Sequence, residues 1–182
     1  MRVFEAVPPA GGVSLALHGG AGGRVEELES ERRAAYEQGL LAAYQAGWRV
    51  LAAGDDALDA VCASVAVLED DPLFNAGHGA ALTATGQAEL DASVMTGAGL
   101  AGAVAASRYA RNPVRLARAV MEHTEHVLIV DPDVDFLQRY GLDVTERGYF
   151  VTEPRQQQLR RVMDGRAVAA RHGTVGAAAR DA

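Results

Sequence analysis

Lysine is absent from the 182 residues, so all seventeen basic residues are arginine. That absence excludes a Schiff-base nucleophile, a pyridoxal-phosphate anchor and the lysine with which a P-loop reaches nucleotide phosphates. Cysteine occurs once, at Cys62. No internal disulfide can form, and a reducing, cytoplasmic location is expected. Positive charge is outnumbered, seventeen basic against twenty-four acidic residues for a net charge of −7. With no basic excess, neither a nucleic acid nor an anionic membrane is expected as partner. No apolar run approaches the ~18 residues of a membrane span. Glu5, Pro8 and Pro9 interrupt the first residues before a signal-peptide core could build up. Several catalytic signatures are missing too: G-x-S-x-G, H-E-x-x-H and any Cys/His cluster.

What is present is the composition of a soluble globular chain, 49% hydrophobic with mean hydropathy near zero. The length suits one domain that buries roughly 70% of its unfolded surface. Val13–Leu17 reads as a buried strand that breaks at His18-Gly19-Gly20-Ala21-Gly22-Gly23. From Ser30 to Ala53 apolar residues recur at helical spacing, with Ser30 as N-cap and Gly54 as the stop. A second helix, capped by Asp55 or Asp56, carries Leu58, Val61, Cys62, Val65 and Leu68 on one face and ends at Asp70-Asp71-Pro72. Cys62 falls on that apolar face and reads as core packing.

Extended segments follow at 80–84 and 88–95, joined across Thr85-Gly86, and another at 101–108. Asn112-Pro113 opens a helix to about His123. Then come a strand at 127–130, helices at 132–140 and 153–163, a polar linker from Asp164 to Gly173, and a strand from Thr174 to Ala179. The order implies helices layered on a mostly antiparallel or mixed sheet.

Three segments could carry chemistry, His18–Gly22, Leu68–Gly79 and His172–Gly176, each weak by itself. The glycine-rich loop after His18 lacks the G-x-G-x-x-G spacing of a phosphate cradle, which leaves a plain tight turn or a bare backbone approaching a reacting centre. His123 and His126, beside Glu122 and Glu125, read as a solvated helix end suited to a cation. Gly173-Thr174 admits two readings. One is a strand start after a linker. The other is a nucleophile: a threonine that begins its chain can use its free α-amine as its own base. Thr174 is internal, so that chemistry requires cleavage of the preceding bond, which a flexible glycine on its N-terminal side permits.

Taken together, five segments resemble the plant-type (type III) L-asparaginases and isoaspartyl peptidases, which are N-terminal-nucleophile hydrolases. They are Leu17–Gly22, Asp71–Gly79, Glu89–Met95, Arg111–Val114 and His172–Ala177. The resemblance implies an α/β (α+β) fold, the four-layer αββα sandwich, with residues 1–173 as α subunit and 174–182 opening the β subunit. It also implies self-cleavage between Gly173 and Thr174, and hydrolysis of L-asparagine and β-aspartyl dipeptides by Thr174 acting as nucleophile and base. Asn75 would orient the threonine, and His18, Gly19 and Gly20 would pack against the scissile bond.

The resemblance implies no catalytic cofactor. It does imply a structural Na⁺, held by main-chain carbonyls of Leu68, Glu69, Asp71, Phe74, Ala76 and His78, an all-oxygen set suited to a hard cation. The expected partners are the small-molecule substrate and the chain's own β subunit, in a dimer of αβ units. The groups that grip the substrate's α-carboxylate and α-amine, and the oxyanion hole, belong in this family to a second subunit that continues past the threonine. By that reading residues 1–182 alone would be catalytically silent. Two rival readings are a glycosylasparaginase, which a lone cysteine disfavours, and a non-catalytic α/β binding module.

Overall fold

The computed structural model describes residues 12–20, 28–165 and 173–181. His172, residues 21–23 of the glycine-rich loop and the linker between 166 and 172 lie outside them.

The chain folds as a mixed α/β structure. Strand β1 (Ser14–His18) leads to two long helices, α1 (Ser30–Ala53) and α2 (Ala57–Asp70). Gly54 adopts φ 85°, and its N–H returns to Leu51 O at 3.1 Å, a left-handed cap that ends α1 where the sequence places it. Strands β2 (Leu90–Met95) and β3 (Ala101–Ser107) pair antiparallel; helix α3 (Pro113–His123) then returns the chain to β4 (Leu128–Val130), which pairs parallel to β3. Helices α4 (Val134–Arg139) and α5 (Glu153–Met163) precede β5 (Gly176–Arg180), which pairs antiparallel with β1.

The strands form two sheets, β1-β5 and β2-β3-β4, where the order of elements alone implied one and the resemblance implied two β layers. The expected strand at 80–84 is reduced to one bridge, Leu82 with Ala88. Thr83 explains this, because its N–H and hydroxyl both bond Gln87 O, closing the turn before a ladder can extend. The last strand starts at Gly176 rather than Thr174.

Two clusters position the site. Cys62 and Ala66 of α2 meet Val94, Val104, Val114, Leu116 and Val120, joining α2 to α3 and the three-stranded sheet. Cys62 is buried as expected, and burial pushes its thiol pKa up. In the second cluster, Ala43, Leu68 and Phe74 pack with Leu17 of β1, Tyr36 and Leu40 of α1, and Val175. Phe74 is 1% exposed; a ring so enclosed contributes roughly 1.5–3 kcal/mol and ties the loop after α2 to the segment before β5. No helix among the described residues is long and apolar enough to cross a membrane.

Candidate active site

The β1-β5 ladder places His18 opposite Gly176. His18 Nδ1 accepts the N–H of Gly20 at 3.3 Å, which leaves the proton on Nε2. A Cβ on Gly176 would stand 2.6 Å from that Nε2, so only a hydrogen fits between strand and ring. Gly20 follows with φ 103°; a Cβ there would lie 3.4 Å from Thr174 O and 3.5 Å from the Gly173 carbonyl carbon. Gly19 faces the Phe74 ring, where a Cβ would come within 2.5 Å of Cε1. Gly20 thus lies along the Gly173–Thr174 peptide with no side chain of its own interposed, while Gly19 packs on the Phe74 ring.

From the opposite side comes Asn75. Its Nδ2 donates to the carbonyl oxygen of Gly173, and its Oδ1 accepts the Ala81 N–H at 2.7 Å. Because a backbone N–H can only donate, the second bond fixes which way the amide points. Gly173 is half-buried and Thr174 exposed. Both line a groove of about 1490 Å³ that Asn75 and Glu69 share with residues of β2, β3 and β5.

The loop carrying Asn75 is rooted in the last turn of α2, which a network holds. Arg111 donates to both Asp70 carboxylate oxygens, at 3.0 and 3.3 Å, while Asn112 Nδ2 reaches Ala66 O and Asp70 Oδ1, each at 3.3 Å. Tyr149 O–H donates to Asp70 Oδ1 at 3.4 Å. Glu69 is 3% exposed and accepts the Val114 N–H at 2.9 Å in the first turn of α3. Burial pushes its carboxyl up to about 8 against the lowering by the Val114 and Asn112 hydrogen bonds, and Oε2 has no partner. Asn112 occupies the N-cap position of α3 as the sequence implies, yet it grips α2 and leaves the capping to Glu69.

The carbonyls expected to bind a cation belong to this same turn. Leu68 O loses its helical donor because residue 72 is proline, and Glu69 O because the Leu73 N–H donates to Asp71 Oδ1 at 3.0 Å. Gly77, at φ 45°, folds back so closely that a Cβ would be 2.2 Å from Glu69 O. Asp71 O and Ala76 O each accept one backbone bond, from Phe74 and Gly79, and keep a second lone pair. The His78 side chain is occupied elsewhere, its Nδ1 donating to Tyr149 O at 2.6 Å. Neutral carbonyls gathered at the negative end of a helix suit a hard monovalent cation. No group of three or more His, Cys, Asp or Glu side chains among the described residues is arranged to hold a metal.

One site-forming contact has no sequence signal. Asp56 stands at the N-cap position of α2 but makes no capping bond with its side chain. The carboxylate that accepts the Ala57 N–H, at 3.0 Å, is Asp181, just past β5. A partner 124 positions away leaves no local pattern to read. The Glu69–Val114 bond is equally distant from any spacing rule.

Fold and site together define a mixed α/β protein built around one internal Gly–Thr peptide, on which a glycine-rich loop and an asparagine converge. Comparison with known proteins agrees with that description. The sequence model described as "Asparaginase" matches residues 11–182, and the chain belongs to this family. Its relatives include an isoaspartyl peptidase of Salmonella typhimurium, 41% identical over 92% of this chain and 58% of the relative. An isoaspartyl peptidase/L-asparaginase of Xenopus laevis is 40% identical over 92% of this chain and 55% of its own length; one of Homo sapiens is 40% identical over 80% and 47%. The chain spans about half the length of the curated relatives it matches.

Proposed function

We propose that the protein is a self-processing N-terminal-nucleophile hydrolase that acts on L-asparagine and β-aspartyl dipeptides, in line with relatives named isoaspartyl peptidase/L-asparaginase or isoaspartyl peptidase. The observation that carries this reading is the convergence of Asn75 and Gly20 on the Gly173–Thr174 peptide. In maturation, Thr174 Oγ1 attacks the Gly173 carbonyl carbon, the C–N bond breaks, and the proton moves to the departing nitrogen. Water then hydrolyses the resulting ester, giving a carboxylate on Gly173 and a free amine on Thr174. The Asn75 Nδ2 donor lies on the oxygen where negative charge develops during the attack.

In turnover, the Thr174 amine takes the hydroxyl proton as Oγ1 attacks the side-chain amide or isopeptide carbonyl, ammonia or an amine leaves, and water releases aspartate. The exposure of Thr174 beside a groove gives a substrate access to it. The two sheets, with helices packed on each, are the frame on which a four-layer αββα sandwich would be completed. The segment starting at Thr174 would serve as the β subunit, and αβ units would pair. The lone cysteine supports a cytoplasmic location.

The main-chain carbonyls of Leu68, Glu69, Asp71, Phe74, Ala76 and His78 would hold Na⁺, whose contribution there would be structural, offsetting the carbonyl dipoles at the end of α2. This chain's own residues keep Asn75 in place through the packing of Phe74 and the bond to Ala81.

Ammonia release from L-asparagine and amino-acid release from a β-aspartyl dipeptide, assayed on the protein complete with its second-subunit segment, test the assignment, with glycosylated asparagine as the competing substrate. Turnover of the first two that is abolished in Thr174→Ala supports it. Turnover of the glycosylated substrate alone favours a glycosylasparaginase, and no turnover of any of them by processed protein favours a binding module.

A further inference from the structure

Strand β5 reads Gly176-Ala177-Ala178-Ala179-Arg180, and three successive alanines give its pairing with β1 almost no side-chain identity. Register is set by side-chain pattern, and a uniform run of small residues sets it weakly. A slip of two residues would keep every face in place and carry Thr174 about 7 Å along the strand. The register therefore needs fixing from outside the ladder. At the N-terminal end Asn75 holds Gly173 O, and within the strand Gly176 alone fits against His18. At the C-terminal end the Asp181 carboxylate holds the Ala57 N–H at the first turn of α2.

We propose that Asp181 is a positioning residue: by capping α2 from the far end of β5 it locks the strand's register and so keeps Thr174 against the Asn75 loop. The proposal rests on the processing reading given above. The same helix carries Asn75's loop at its other end, so α2 acts as a ruler between the two ends of the β5 segment. Cleavage would remove the covalent restraint before Thr174, and the Asp181 bond would still tie β5 to α2 outside the ladder. Its bond is exposed, and the effect expected from its loss is about fivefold, close to 1 kcal/mol at 1.4 kcal/mol per tenfold.

Hydrogen exchange and processing are measured on the whole chain for wild type, Asp181→Ala, Asp181→Asn and Asp56→Ala. Asp181→Asn keeps an oxygen acceptor, and Asp56→Ala perturbs the same helix end without touching β5. The expected result is exchange at the 177–179 amides about fivefold faster in Asp181→Ala, with slower cleavage before Thr174 at a temperature well below unfolding. Asp181→Asn and Asp56→Ala should stay near wild type at those amides. Unchanged β5 protection in Asp181→Ala overturns the proposal, as does equal loss in Asp56→Ala, which would mean fraying of α2 alone reaches the strand. Should the wild type stay uncut while β5 exchange shifts as expected, the processing reading fails and the register lock stands.

Discussion

The side-chain amide of Asn75 donates to the carbonyl oxygen of Gly173, 98 positions further along the chain. The bond joins the loop after α2 to the peptide that precedes β5, and it puts a donor on the atom that becomes an oxyanion if Thr174 attacks. Asn75→Ala should slow cleavage before Thr174 by about 10²-fold or more. The lost bonds to Gly173 and Ala81 should together cost about 1–3 kcal/mol of stability. Asn75→Asp keeps the acceptor for Ala81 but turns a carboxylate oxygen toward a carbonyl, and it should process no faster than the alanine variant. Time courses by mass spectrometry, paired with urea titrations, separate the two effects.

Gly77 is where the backbone leaves least room. Gly77→Ala would set a Cβ 2.2 Å from Glu69 O at a φ of 45°, and neither atom belongs to a side chain that can swing away. A loss of about 2–4 kcal/mol is expected, combining left-handed strain with overpacking. Gly97→Ala meets nothing within 4 Å and has no positive φ, so its urea midpoint should stay close to wild type.

Ala106 adopts φ 54°, and the Asp91 carboxylate accepts its N–H at 2.9 Å across an irregularity in the β2-β3 ladder. Ala106→Gly should stabilise the protein by about 1 kcal/mol by relieving left-handed strain, offset in part by the freedom glycine gains when unfolded. Asp91→Ala should destabilise by about 1 kcal/mol. Thermal unfolding of the two variants should shift in opposite directions.

Much of this was legible in the sequence, and the remainder has a physical reason for being hidden. Helix α1 stops at Gly54 because a left-handed cap is a local property, whereas Ser30, expected as its N-cap, is the first helical residue, with Glu29 at the N-cap position and no side-chain capping bond. Gly173, Thr174, His18, Gly19, Gly20 and Asn75, named from motifs, are brought together by the β1-β5 ladder and the Phe74 packing. Capping went astray at both helices where it is done at a distance. Asp56 and Asn112 sit where caps belong, but Asp181 and Glu69 make the bonds. Which strands share a sheet was not legible from the order of elements, since strand pairing joins segments far apart in the chain.

The carbonyls around the end of α2 lead to an ion-specific expectation. Thermal stability should rise with NaCl beyond the rise in choline chloride of equal ionic strength. At about tenfold above the dissociation constant the gain is about 1.4 kcal/mol. Coincident melting curves in the two salts would argue against a sodium site at Leu68–His78.

The most direct measurement is the intact mass of the purified protein over time, for wild type and Thr174→Ala. The account requires wild type to separate into a fragment ending at Gly173 and one whose first residue is Thr174, while Thr174→Ala remains a single chain. Cleavage at the same bond in Thr174→Ala, or a wild type that stays whole on prolonged incubation while folded, would contradict it.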